Sequence, residues 1–136
     1  MVIFENETDF ALNLMLIEAI AGDLSDRDIE LILIGGEAMR ELNRETRGFD
    51  KSTDVLSFPI DSFPHAPLGS IAISIDAAKE QSAQLGHTID DEIAVLFLHG
   101  ILHLLGFDHE ADRGEMAAKE ADLRTKYHLP IALTER

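Results

Sequence analysis

The sequence predicts an α+β fold, a small mixed β-sheet with α-helices packed on it, and three observations carry that expectation. Ile71, Ile73 and Ile75 alternate with Ser70, Ala72 and Ser74, the period of a strand with one face buried. Asp90 to Leu105 is a strongly apolar run far too long for a strand. Gly48, Gly86 and Gly106 each stand just beyond a helical pattern, where a chain leaving a helix commonly turns left-handed.

In chain order, Val2 to Glu5 reads as a short, edge-like strand. Phe10 to Ile20 reads as a mostly apolar helix, with Asp9 placed to cap it and Gly22 to end it. Ile29 to Ile34 has the Ile and Leu content of a buried strand. Glu37 to Thr46 is a charged helical pattern, with Met39 and Leu42 toward the core and Arg40 and Arg44 on another face. Asp54 to Phe58 reads as a strand stopped by Pro59, and the stretch through Pro67 as a loop that could wall a groove. Gly69 to Ile75 is the clearest strand. Asp76 to Leu85 and Asp90 to Leu105 are helices, the second opened by Asp90, Asp91 and Glu92, whose charge suits the positive end of its dipole. A last amphipathic helix is expected from about Asp112 to Lys126.

A chain of 136 residues, 46% hydrophobic and 27% charged, predicts one domain, residues 1–136, able to fold unaided. No repeat or Gly/Ser linker divides it. There is no cysteine, which excludes disulfides, thiolate ligands and a thiol nucleophile, so any metal site must use His, Asp or Glu. Met1 to Glu7 lacks the basic and apolar pattern of a secretion signal and no segment has the length of a membrane span, so a cytoplasmic location is expected. The net charge of −15 opposes broad attraction to phosphate backbones. Arg40, Arg44, Arg47 and Lys51 nevertheless fall close together, whereas Ser52 to Asp112 contains only Lys79, which makes the 40–51 segment the first candidate to meet an anion.

The stretch from His99 to His109 carries the chemistry. His99 and His103 are i and i+4 on the long helix, so their rings project from one face at a separation suited to one ion. Gly106 can fold the chain back and bring His109 to the same face. Three neutral imidazoles leave a tetrahedral ion, such as zinc, one open position to activate water, as a catalytic site requires. Single histidines on an apolar helix are ordinarily structural, but three in eleven residues with a helix stop between the second and third resist that explanation. Asp108 and Glu92 are candidates to support the ligands, and His65, His87 and His128 are expected at the surface. The zincin proteases share the histidine spacing but place a glutamate base after the first His, where this chain has Gly100, so peptide hydrolysis of that kind is disfavoured.

His99 to His109 resembles the H-G-x-L-H-L-x-G-[YF]-D-H signature of the YbeY family, bacterial ribosomal-RNA maturation factors regarded as metal-dependent endoribonucleases. Leu42-Asn43, Arg47 and Thr53 to Pro59 resemble the family's L-N … R … T-D-V-L-S-F-P block, and Glu92, Met116 and Glu120 fall where the family tends to place such residues. The likeness spans about Glu37 to Glu120, with one departure, Ser70 in place of a frequent aspartate. The resemblance implies a zincin-like arrangement with a central metal-binding helix and one zinc or similar divalent ion on His99, His103 and His109. It implies Arg47 and His99 as catalytic residues, and the Arg47 guanidinium is physically suited to grip two phosphate oxygens at once. It further implies a single-strand-preferring endoribonuclease of ribosomal-RNA maturation and ribosome quality control, with ribosomal RNA and ribosome-associated proteins as partners. Three histidines specify the catalyst but not the substrate. A metal-dependent hydrolase of an amide or small phosphoester, or a ribosome-associated binding factor with a structural metal, are the rival readings.

Overall fold

Alternation along the strands decides which side of the sheet each residue meets. In the computed structural model, which describes residues 1–60, 63 and 65–136, the strands are β1 (Val2–Asn6), β2 (Ile29–Ile34), β3 (Val55–Pro59) and β4 (Gly69–Ser74). They form one mixed sheet in the order β1-β2-β4-β3, in which β1, β2 and β4 run parallel and β3 is antiparallel to β4. Ile29, Leu31 and Leu33 of β2 and Ile71 and Ile73 of β4 point to the larger core. Ile34 and Ala72 point to the other face, where Met39 and Leu56 complete a smaller cluster.

The helices are α1 (Met15–Leu24), α2 (Gly36–Arg47), α3 (Ile75–Leu85), α4 (Ile89–Leu104) and α5 (Glu115–Lys126), followed by a 3₁₀ turn (Leu133–Glu135). Met39 and Leu42 of α2 cover the small cluster, while α1, α3, α4 and α5 contribute to the large core. Among the described residues no helix is long and apolar enough to cross a membrane.

Most expected elements are present, and the departures have local causes. The first helix starts at Met15, not Phe10: residues 10 to 14 alternate in burial, and Phe10, Leu12 and Leu14 pack against the core from the non-helical segment that precedes it. Asp9 does not cap α1; the Asn13 side chain accepts the Met15 N–H at 3.0 Å. Gly22 lies inside α1, which runs on to Leu24. Ile75 opens α3 instead of closing β4, because the Ser74 hydroxyl accepts the Ala77 N–H at 3.2 Å. Asp112 precedes α5 and caps it from outside, accepting the Met116 N–H at 2.9 Å. The loop expected after Pro59 falls partly on residues 61, 62 and 64, outside the described residues.

At the end of the sheet, Gly69 pairs opposite Pro59, and a Cβ added to Gly69 would lie 2.5 Å from the Phe58 carbonyl oxygen and 2.6 Å from Leu104 Cδ2. Part of that obstacle is backbone, so it cannot rotate away. Gly69→Ala is expected to lower the unfolding free energy by about 1–3 kcal/mol, read as a reduced urea midpoint at unchanged slope; an unchanged midpoint would show that the strand end yields freely.

Candidate metal centre

Helix α4 presents the histidines from within the core. The Thr88 hydroxyl caps it by accepting the Asp91 N–H at 3.1 Å, and residues Glu92 to Leu102 are buried. Gly100 faces the sheet: an added Cβ would stand 3.0 Å from Ile71 Cγ2 and 3.1 Å from Ser57 Oγ. The Ser57 hydroxyl donates to the Gly100 carbonyl at 3.1 Å, so α4 lies close against β3 and β4. That contact sets the rotation of the helix. His99 is 6% exposed, His103 half-buried one turn later, and Leu105 has already emerged into solvent.

The helix then ends as the glycine pattern predicts. Gly106 has φ 100°, its N–H bonds the His103 carbonyl, and the Phe107 N–H bonds the Leu102 carbonyl, both at 3.0 Å. This paired closure satisfies carbonyls at the helix end and reverses the chain. His109 consequently returns to the rings it was expected to join. Ring centroids lie 4.7 Å (His99–His103), 5.0 Å (His99–His109) and 5.2 Å (His103–His109) apart. One donor atom from each of these three histidines lies within 4.8 Å of the others.

Hydrogen bonds fix which nitrogens face inward. The Phe107 carbonyl can only accept, so His103 Nδ1, 3.0 Å away, carries the proton and Nε2 keeps its lone pair. His99 Nδ1 donates in the same way to Glu120 Oε2 at 3.0 Å. The two Nε2 atoms then face each other at 3.1 Å. Two lone pairs at that distance repel unless a cation lies between them, and burial, together with the repulsion a protonated His99 would add, holds the His103 pKa below its ordinary value. The donor set therefore fits a divalent transition ion, with imidazole ligands oriented by a carboxylate and a carbonyl.

The supporting residues differ from those expected. Glu120, not Asp108, orients one of the three histidine rings; it is fully buried on α5 and also accepts the Thr134 N–H at 3.1 Å. Its spacing gave a usable signal, because Met116, Glu120 and Leu123 occupy one buried stripe of α5 and a carboxylate there requires partners. Asp108 is exposed and accepts the Glu110 N–H at 3.0 Å. Glu92 is also fully buried, but it is joined to His87 Nε2 and to both terminal nitrogens of Arg136, each at 2.7 Å. His87 is thus half-buried and paired, contrary to the surface position expected, whereas His65 and His128 are exposed.

The histidines open onto a groove of about 640 Å³, bordered by Arg47, Asp54, Ser57 and Leu133. Arg47 comes from the last turn of α2, which Gly48 closes in a left-handed conformation. Ser70, the departure noted above, lies with Ala72 on the α2 side of the sheet, away from α4, and donates to Glu30 at 2.8 Å.

The model of a family described as "Endoribonuclease YbeY" matches residues 4–128. The chain belongs to the YbeY family. Among curated relatives named "Endoribonuclease YbeY", that of Nautilia profundicola is 52% identical over all of this chain and 98% of the relative. That of Wolinella succinogenes is 52% identical over all of this chain and 97% of the relative. That of Helicobacter pylori strain P12 is 50% identical over all of this chain and 98% of the relative. A solution structure of a Thermotoga maritima protein superposes with a TM-score of 0.64 at 27% identity, covering 93% of this chain and 89% of that one. The α+β fold with its histidine helix is accordingly a YbeY-like fold.

Glu120→Gln places an amide N–H₂ against one of two donors, His99 Nδ1–H or Thr134 N–H. It is expected to weaken zinc binding about 10- to 100-fold in competition with a chromogenic chelator, while Asp108→Asn binds as the parent does. Equal losses in the two variants would remove Glu120 from its orienting role.

Proposed function

We propose that this chain is a metal-dependent endoribonuclease that hydrolyses phosphodiester bonds in single-stranded RNA, with His99, His103 and His109 as ligands of one zinc or similar divalent ion. The observation that carries this reading is the convergence of the three rings on one point at the floor of a groove that Arg47 also borders. An ion held there supplies Lewis acidity, lowering the pKa of a water from about 16 toward about 7. Glu120 and the Phe107 carbonyl keep the two buried rings in the tautomer that turns Nε2 inward. Arg47 holds the phosphate in register and offsets the charge that builds on its oxygens. His99, the most buried of the three rings, would act in catalysis as a ligand of that ion.

The YbeY relationship supports ribosomal RNA as the natural substrate, ribosome-associated proteins as partners and the cytoplasm as the location. Neither rival reading gains a specific observation. Among the described residues three side chains converge, which leaves a coordination position for reaction instead of the closed shell of a structural metal. Gly100 stands where the protease bears its glutamate base, and an added Cβ there would already be tight against Ile71 and Ser57, which counts against that rival.

His103→Ala is expected to retain the folded circular-dichroism spectrum and lose cleavage of a single-stranded RNA, and chelation of the parent protein to abolish cleavage until zinc is restored. Full cleavage by metal-stripped protein would end this reading. Arg47→Lys keeps the charge but not the two-pronged fork; turnover under single-turnover conditions should fall about tenfold or more at unchanged metal content. Unaltered turnover would remove Arg47 from the reaction.

A further inference from the structure

Beside the groove, the turn after α2 holds an aromatic ring in an uncommon setting. Phe49 is 50% exposed, with the Arg47 guanidinium carbon 5.5 Å and Lys51 Nζ 5.7 Å from its ring centroid. A solitary exposed Phe is ordinary on a protein surface. This one is flanked in space by two cations, in a chain whose net charge is −15.

The turn that carries it is braced on both sides. Asn43, itself buried, donates from Nδ2 to the Lys51 carbonyl at 2.9 Å, and the Lys51 N–H bonds the Phe49 carbonyl at 2.9 Å. Arg40 grips Asp50 with Nε and a terminal nitrogen at 2.9 and 3.3 Å. That pair neutralises the acidic residue of the turn, while Arg44, Arg47 and Lys51 form no ion pair with any described residue. The fold thus spends its local hydrogen bonds on fixing a ring that it leaves in water.

An aromatic face between cations matches the two parts of a nucleotide: every base has a face that stacks, and each neighbouring phosphate attracts a cation. Both cations stand beyond the roughly 3.5–4 Å of carbon contact, so a base can displace one from the ring and leave it to a phosphate. Arg47 links the ring to the chemistry, since it stands over Phe49 and also borders the groove of the three histidines. We propose that Phe49 is a base-stacking subsite, which holds the unpaired base of a nucleotide next to the scissile phosphate while Arg47 and Lys51 take the phosphates on either side of it. This rests on the endoribonuclease reading and adds to it a demand for an unstacked base at one defined position.

The probe is a short unstructured RNA carrying 2-aminopurine at successive positions, titrated with protein in the presence of chelator so that binding is read without cleavage. With the parent protein, stacking should quench the fluorophore at one position. Phe49→Ala and Phe49→Leu should lose that quenching, weaken binding about tenfold and raise KM for cleavage in proportion with kcat little changed; Phe49→Trp should restore all three. An RNA lacking the base at that position should bind parent and Phe49→Ala equally. Parental affinity in Phe49→Leu, equal losses on the abasic RNA, or a change only in oligomeric state would each overturn the subsite. If the parent cleaves RNA while these variants match it, the subsite alone fails; a parent that binds RNA with the predicted quenching but never cleaves it leaves the subsite and removes the nuclease.

Discussion

The hydrogen bond between His99 and Glu120 is the constraint on which the site is built. Both partners are buried, and a carboxylate in the interior is tolerated only when its oxygens are occupied. One Glu120 oxygen takes the His99 ring and the other the Thr134 N–H, so α4, α5 and the final 3₁₀ turn meet at one side chain. A second buried carboxylate, Glu92, seven residues before His99, joins the same C-terminal segment through Arg136. Removing one partner from a buried pair typically costs about 3–5 kcal/mol, so the segment that supplies Leu133 to the groove wall is held where His99 is held. The His99 ring and the Leu133 side of the groove are therefore tied to the same buried side chain.

A strongly acidic protein that acts on RNA must solve a problem of approach. Long-range attraction is unavailable at a net charge of −15, and cations concentrated between Arg40 and Lys51 give only a local field. The Arg40–Asp50 pair reduces even that by occupying one of the four cations. What remains is short-range: a guanidinium at the groove, a second cation, and a ring whose attraction for a base does not depend on charge. Recognition of this kind favours a chain whose bases are already unpaired, because a duplex offers phosphates but no free base face.

The sequence was most informative where backbone geometry leaves few choices. Gly48, Gly86 and Gly106 end α2, α3 and α4 with positive φ, and the i, i+4 histidines followed by such a stop bring His109 to the other two rings, as the spacing predicts. It misled where apolar residues served two periods at once: Phe10, Leu12 and Leu14 are alternate residues of the non-helical segment before α1, and reading them together with Ile17 and Ile20 lengthened α1 by a turn and a half. The buried polar network was the least legible part. Whether Glu92 meets His99 or His87 depends on the path of the C-terminal segment, which no local pattern encodes, and Asp108 lay nearer in sequence to the histidines than Glu120 did.

Gly100 shows how packing, more than motif, separates this site from a peptidase. The two share a histidine pair one turn apart, but in the zincin proteases the residue after the first histidine bears the general base. On α4 that position faces Ile71 and Ser57, where even a Cβ would stand only 3.0–3.1 Å from side-chain atoms, so a glutamate there would need its neighbours to give way. The groove thus lacks the peptidase's glutamate and has at its border, from a different element, the Arg47 guanidinium of α2. A neutral amide gains little from that group. A phosphodiester, already negative and becoming more so as the attacking oxygen approaches, would gain from a guanidinium at every stage, which is the preference that the proposed reaction requires.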